Sequence, residues 1–341
     1  IKIPASVTSI GFVAFAECSS LTSVSILNDS ATIGGDDDDY DVFTDCPSTL
    51  VIHGYAGSTA ETYAGNADIT FEAIPAPITG SCGEHAVYTL DYATGVLTIS
   101  GTGTMENYTG ASYIPAPWYG HREYIESVVI ESGVTGIGSC AFEGCGSLES
   151  VTIPDSVTSI GNGAFKDCSG LTAITIPGNV TSIGFRTFYG CSGLTTIAIP
   201  DSVTSIGDEA FFGCSGLTAI TIPENVTSIG GNAFFGCGGL TSVTIPGSVN
   251  SIKSAAFASC IRLQNIDVSA ENSKYSSVDG VLFSKDKTEL VIYPAGRAGT
   301  YSIPNGVTRI GICAFYGCGG LTSIKIPASV TSIGFVAFAE C

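Results

Sequence analysis

Hydrophobic residues recur along this chain with a period of 23 residues. The unit that begins at Val157 reads VTSIGNGAFKDCSGLTAITIPGN, and equivalent valines begin further units at Val134, Val180, Val203, Val226 and Val249. The AITI segment alternates small or polar residues with isoleucine, which is typical of a short half-buried strand, and the following proline ends it. The VTSI segment predicts a second short strand, and GNGAF predicts a turn.

Repetition on this scale predicts a solenoid. One unit cannot bury its own apolar face, so successive coils must cover one another, and their identical strands then stack in parallel. After Val249 the next restart is Val307, which leaves room for one repeat and a 35-residue insertion. The insertion contains SSVDGVLFS and ELVIYP, and Asp279 and Gly280 suit a tight hairpin turn. We expect a β-rich elaboration that protrudes from the stack.

The repeats and the segments that interrupt them predict four parts. Residues 1–46 are expected to end an upstream array, and residues 47–80 to form its strand-helix-strand cap and a proline-rich linker. Residues 81–133 are expected to form a β-hairpin and a short helix near Trp118. These elements would cap a second array at 134–341, with the insertion at about 269–303. Open solenoid ends require such caps.

The consensus LxxIxIPxxVTSIGxxAFxxC resembles the leucine-rich repeats of the BspA-like bacterial surface proteins, over residues 1–29 and 134–341. The resemblance implies a β-rich leucine-rich-repeat solenoid. Its strands would form a parallel concave sheet, with short turns or 3-10 elements on the convex side and mixed α/β caps. It also implies a non-enzymatic bacterial cell-surface or secreted protein that mediates adhesion to host or bacterial surface proteins or glycans.

The outward positions of the LxxIxIP strands are the candidate contact surface, because a parallel sheet presents the side chains of many coils together. The candidate ligand-binding residues are Ser150, Thr152, Thr175, Thr196, Thr221, Ser242, Thr244, Asn265, Asp267 and Lys325. Threonine rows also stabilise sheets by cross-strand packing, so a purely structural role stays open. No aromatic or arginine anchor stands on this face.

Composition argues against several functions. The chain has 31 acidic and 12 basic residues and a net charge of −19, whereas nucleic-acid binding requires clustered positive charge. No apolar stretch of about 18 residues predicts a membrane span. The nucleophile-elbow, zinc-protease and phosphate-loop motifs do not occur, so we expect no enzyme and no cofactor. Catalysis would be sought first around His121 and Cys140.

Ten of the 13 cysteines lie three residues after a repeat phenylalanine and so form a ladder. Cysteine is small and apolar, which suits a packed core, and the parallel side chains of stacked coils suit disulfide geometry poorly. We therefore expect core residues with free thiols. Cys82, Cys140 and Cys313 lie off the ladder. The spacings Cys140 to Cys145 and Cys313 to Cys318 match zinc sites only weakly.

An acidic run offers the oxygen ligands that calcium prefers, in Asp36, Asp37, Asp38, Asp39 and Asp41. It lacks the spaced order of a calcium loop. We expect a solvated loop and no metal, with calcium binding as the alternative.

Residues 1–18 recur identically at 324–341. One interpretation is a longer chain in which a 323-residue block repeats, and the other is the duplication of a single coil. The alternative to a binding function is self-association into a fibre, in which coil ends stack between chains or blocks join in tandem through an open edge at Val330.

Overall fold

The computed structural model describes residues 1–34, 41–110 and 113–341, and the acidic residues Asp36 to Asp39 lie outside these ranges. The chain divides into two compact units. One contains residues 1–78 and 91–95, and the other contains residues 79–90 and 96–341. Each unit is built mainly from short strands joined by turns.

The first unit combines two coils with a strand-helix-strand segment. Its elements are β1 (Lys2–Ile3), β2 (Ser9–Ile10), β3 (Ser23–Ile26), β4 (Thr32–Ile33), β5 (Val51–Gly54), α1 (Thr59–Asn66) and β6 (Thr70–Ala73). Strands β1, β3, β5 and β6 pair in parallel in that order, and β2 pairs with β4. The Ser58 hydroxyl caps α1 by accepting the amide of Glu61. The expected strand, helix and strand are all present.

The second unit starts with a paired sheet that leads into the repeats. Its first elements are β7 (Ile78–Ser81), β8 (His85–Asp91), β9 (Val96–Thr104), a 3-10 helix (Tyr119–Tyr124), β10 (Ser127–Ile130) and β11 (Val134–Ile137). Strand β9 is long enough to pair with both β10 and β11, so it templates the two strand sets of the array. Trp118 is fully buried, and its indole donates to the carbonyl of Ala141 at 2.9 Å.

The repeats follow as stacked parallel strands, as the sequence predicts. They are β12 (Ser150–Thr152), β13 (Ser159–Ile160), β14 (Ala173–Thr175), β15 (Ser182–Ile183), β16 (Thr196–Ala198), β17 (Ser205–Ile206), β18 (Ser228–Ile229), β19 (Ser242–Ile245), β20 (Ser251–Ile252) and β21 (Asn265–Val268). Each VTSI segment supplies one of the two-residue strands, and the register is kept from coil to coil. Residues 218–222 keep the alternating burial but form no strand, which divides the expected continuous sheet.

One phenylalanine per coil builds the centre of the core. These fully buried rings form a column, called the phenylalanine column below, whose members are Phe142, Phe165, Phe188, Phe211, Phe234 and Phe257. Neighbouring ring centroids lie 5.0–5.6 Å apart with nearly parallel planes. The residues two positions before and two positions after each of these phenylalanines have positive φ, as Arg186 and Gly190 do on either side of Phe188. These left-handed residues turn the chain sharply on both sides of the ring.

The cysteine ladder lies beside this column. All 13 cysteines are within the described ranges and are free. The core prediction is confirmed for Cys145, Cys168, Cys191, Cys214, Cys237, Cys260 and Cys318, which are buried. It is not confirmed for Cys341, which is the last residue of the given sequence and is exposed. Cys18 and Cys46 are partly buried.

The insertion does not protrude, so that prediction is wrong. The remaining strands are β22 (Tyr275–Val278), β23 (Val281–Ser284), β24 (Glu289–Ile292), β25 (Gly299–Ser302), β26 (Arg309–Ile310), β27 (Leu321–Lys325) and β28 (Ser332–Ile333). Strands β22 and β23 form the predicted hairpin around Asp279 and Gly280, which both have positive φ. Strand β24 then pairs in parallel with β26, and the Tyr293 ring stacks 5.0 Å from Phe315. The insertion has enough apolar residues to form a coil of its own.

Candidate binding surface

All ten predicted ligand-binding residues are exposed. They project from β12, β14, β16, residues 218–222, β19, β21 and β27, in which the alternate residues point into the core. The exposed side of these strands is called the strand face below. Its side chains are mostly hydroxyls, because the apolar positions of each LxxIxIP strand are used by the core.

Strand register aligns the side chains of the strand face in columns. Ser242 stands opposite Asn265 and Thr244 opposite Asp267 in the β19–β21 pair. In the β14–β16 pair, Thr196 stands opposite Ala173. Parallel strands lie about 4.8 Å apart, so a ligand that crosses several coils meets a small, mostly polar side chain at regular intervals, although its identity changes from coil to coil.

Lys325 and Asp267 do not lie on strands that pair with each other. Lys325 lies on β27, which pairs with β25 and places it opposite Ser302. Between β21 and β25 the insertion intervenes, since the amide of Ile266 donates to the carbonyl of Gly280. The two charged candidates therefore occupy separate two-stranded sheets.

Asp41 is the one member of the acidic run that the structure describes. One of its carboxylate oxygens accepts the amide of Val42 and the hydroxyl of Tyr63. This carboxylate therefore fixes the chain near α1. In the ranges 1–34, 41–110 and 113–341, no three His, Cys, Asp or Glu side chains converge as metal ligands do.

The surroundings of Cys140 do not resemble those of a catalytic thiol. Burial and the carboxylate of Glu143 raise the pKa of Cys140, which disfavours the nucleophilic thiolate. Glu143 forms a 2.6 Å ion pair with Lys166 in the next coil. That hydrogen bond raises the pKa of Lys166 and keeps the ammonium charged. The charges here link two coils.

A second row of aromatic rings, which was not predicted from the sequence, lies beside the phenylalanine column. The Tyr189, Phe212 and Phe235 rings are half-buried and stack at 4.8 and 4.9 Å, and Tyr316 lies 5.4 Å from Phe235. The signal was an aromatic residue directly after the repeat phenylalanine in three successive units. The Phe212 ring is stacked on both faces and so shows only its edge to solvent, which leaves it no face on which a sugar ring could stack.

No helix of the described chain has the length and hydropathy to cross a bilayer.

Comparison with known proteins gives a consistent set of matches. The model of the BspA type leucine rich repeat region matches residues 1–50, 112–214, 181–296 and 297–341, in six copies. A leucine rich cell surface protein from Faecalibacterium prausnitzii is 36% identical, with a TM-score of 0.60 and coverage of 77% of this chain and 74% of that one. A leucine-rich repeat protein from Eubacterium ventriosum is 29% identical, with a TM-score of 0.55 over 78% of this chain. This chain spans 64% of the length of that protein. Among curated proteins none matches.

Proposed function

The chain belongs to the BspA type leucine-rich repeat family, and from this premise we propose that it is a non-enzymatic bacterial cell-surface or secreted protein that binds a protein or glycan partner through its strand face. The observation that carries the proposal is the exposed, in-register set of small and mostly polar side chains on β14, β16, β19 and β21. A similar protein from Faecalibacterium prausnitzii is described as a leucine rich cell surface protein, which supports the location.

The chemistry of the strand face favours binding over catalysis. Its repeated groups are hydroxyls, which donate and accept hydrogen bonds but do not transfer protons near neutral pH. One hydroxyl contact contributes little, whereas several coils that engage one partner act together. Hydroxyl columns suit both main-chain groups of a protein and the hydroxyls of a glycan, so both partner classes belong in the first screen.

We also propose that the segments that flank the repeats act as caps. Helix α1 packs its buried Ala60 and Ala64 into the core of the first unit. In the second unit, Trp118 stacks on Phe142 and so heads the phenylalanine column. Both placements cover apolar groups that a stack of coils would otherwise expose.

A binding screen against immobilised matrix proteins and glycans tests the main proposal. The substitutions Thr196→Arg and Thr221→Arg place bulky charges in the middle of the strand face, and Asp267→Ala and Lys325→Ala remove its two charges. A ligand of the strand face should lose most of its affinity for the variant that carries both Thr196→Arg and Thr221→Arg. The matched control Ser182→Arg, on the exposed side of β15, should bind normally. Equal binding by all variants would refute the strand-face site.

Self-association remains the alternative function and has its own test. A fibre-forming chain should increase in size with concentration in light scattering. A size that is independent of concentration, together with retained ligand binding, would argue against assembly and for the binding function.

A further inference from the structure

The sheet formed by the second strand of each coil is interrupted where the insertion enters. Strands β15, β17, β18 and β20 form one sheet, whereas β24, β26 and β28 belong to another. Register is kept within each sheet. Strand β20 is therefore an edge strand in the interior of the array. Edge strands are normally covered or blocked, because they offer a row of backbone groups to any extended chain.

Backbone groups at this edge lack the next-coil partner strand that β15, β17 and β18 have. The same break in pairing occurs between β13 and β15. The carbonyl of Ile206 accepts the amide of Gly230 at 2.8 Å, and the carbonyl of Ile229 accepts the amide of Lys253 at 3.0 Å. In the same register the carbonyl of Ile252 would meet β24. Strand β24 pairs with β23 and β26 instead, within the part of the chain that the structure describes. The amide of Ile252 is capped by the Tyr275 hydroxyl at 2.8 Å.

A cavity of about 220 Å³ lies between the two sheets, and we call it the coil gap. Its lining includes the aliphatic residues Ile252, Val291 and Ile312 and the charged residues Lys253, Glu289 and Arg309. The aliphatic side chains form its walls. Lys253 stands on one side and Arg309 on the other, and the whole chain has only 12 basic residues.

The two cations of the coil gap are held by ion pairs that can exchange. Lys253 Nζ lies 2.9 Å from Asp208, and Arg309 Nε lies 3.3 Å from Glu289. The Lys253 and Arg309 side chains are 60% and 52% exposed. Exposed ion pairs contribute little to stability, so either cation can turn to a carboxylate of a ligand at small cost.

We propose that the coil gap binds an extended acidic peptide segment of a partner protein. The peptide adds a strand to β20, and its amides donate to the carbonyls of that edge. Its carboxylate contacts Lys253 and Arg309, and its β-branched side chains contact the aliphatic walls. The site lies outside the strand face, so the inference goes beyond the proposed function and rests on it only in taking the partner to be a protein.

Fluorescence anisotropy with the full chain and a labelled peptide tests the coil gap. The probe is Val-Thr-Glu-Val-Thr with blocked ends, and its counterpart carries Gln in place of Glu. The Glu peptide should bind more tightly than the Gln peptide. Its affinity should fall several-fold, up to roughly tenfold, in the double variant Lys253→Ala and Arg309→Ala, because two exposed charged contacts are lost together. The control Arg262→Ala, at an exposed basic residue outside the lining of the gap, should bind as the unsubstituted chain does.

Two further measurements separate this site from the strand face. Hydrogen exchange of residues 251–255 should slow when the peptide binds, and Ser254→Trp, which fills the gap, should abolish binding. The Thr196→Arg and Thr221→Arg variant should keep its affinity for the peptide even if it loses a strand-face ligand. Equal binding of the Glu and Gln peptides, undiminished binding by the double variant, or protection confined to other residues would overturn the proposal.

Discussion

The Sγ atom of Cys214 lies 3.1 Å from the carbonyl oxygen of Phe188, which belongs to the preceding coil. The same thiol-to-carbonyl contact recurs between Cys191 and Phe165 at 3.0 Å and between Cys237 and Phe211 at 3.1 Å. These ladder cysteines are therefore hydrogen-bond donors between coils as well as small core residues. This explains a preference for cysteine over alanine at a position where both would fit.

Substitution of Cys214 separates these two roles. Cys214→Ala removes the thiol donor and leaves the Phe188 carbonyl with only the amide of Cys191 at 3.3 Å, so we expect the free energy of unfolding to fall by about 1 kcal/mol. Cys214→Ser keeps a donor and should be milder. Urea unfolding of both variants provides the comparison, with Cys140→Ala, at a partly exposed thiol, as a nearly neutral control. If the cysteine only filled space, alanine would be the milder change, and that order would contradict the donor role.

The buried thiols make the fold sensitive to alkali. Burial raises the pKa of Cys191 and Cys260 to about 12. In the unfolded chain these thiols ionise near pH ~9. The unfolded state therefore releases protons above that pH while the folded state retains them. The stabilisation is complete below pH ~9. As the pH rises from there toward the pKa of the folded state, each buried thiol lowers the free energy of unfolding by about 1.4 kcal/mol per pH unit.

Thermal unfolding between neutral pH and about pH 11 measures this loss. The melting temperature should stay level up to about pH 9 and then fall. Cys191→Ala, which removes one such thiol, should fall less steeply. If the melting temperature of Cys191→Ala declined as steeply as that of the unsubstituted chain, other groups, such as buried tyrosines, would dominate the alkaline transition.

The 23-residue period predicted the stack, the two strands of each coil and the buried ladder, because the apolar side chains of each coil can be buried only between neighbouring coils. It predicted where the insertion lies but not that the insertion packs into the core of the stack. Tyr293 replaces the repeat phenylalanine without the AFxxC context, so nothing in the local pattern marks it as a core residue. The candidate surface followed from strand alternation, but the separation of Asp267 from Lys325 depends on how the insertion packs.

Asn272 holds the insertion on the preceding coil and is 1% exposed. Its Nδ2 donates to the carbonyls of Pro246 and Val249 at 2.7 and 2.9 Å, and its Oδ1 accepts the amides of Lys274 and Tyr275 at 2.8 Å. Asn272→Ala leaves several of these buried groups unpaired, so we expect a loss of about 3 kcal/mol or more. The control Asn305→Ala alters an exposed asparagine. Similar unfolding midpoints for the two variants would show that water replaces the lost bonds.

The phenylalanine column should transmit stability only between adjacent coils. The Phe211 ring lies 5.1 Å from Phe234, whereas Phe165 is separated from Phe234 by the rings of Phe188 and Phe211. Each Phe→Leu substitution should cost about 1–2 kcal/mol, below the 3–5 kcal/mol of Phe→Ala. The effects of Phe211→Leu and Phe234→Leu should be non-additive by about 0.5 kcal/mol or more, because each removes a stacking partner of the other.

Phe165→Leu combined with Phe234→Leu provides the matched comparison for this coupling. Sites without shared partners usually add within about 0.5 kcal/mol, and in a solenoid each coil contacts only its neighbours. Denaturant unfolding of the three single variants, the two double variants and the parent chain gives both coupling energies. Equal coupling for the adjacent and the distant pair would mean that the array rearranges as one body, and the nearest-neighbour account of its core would then be wrong.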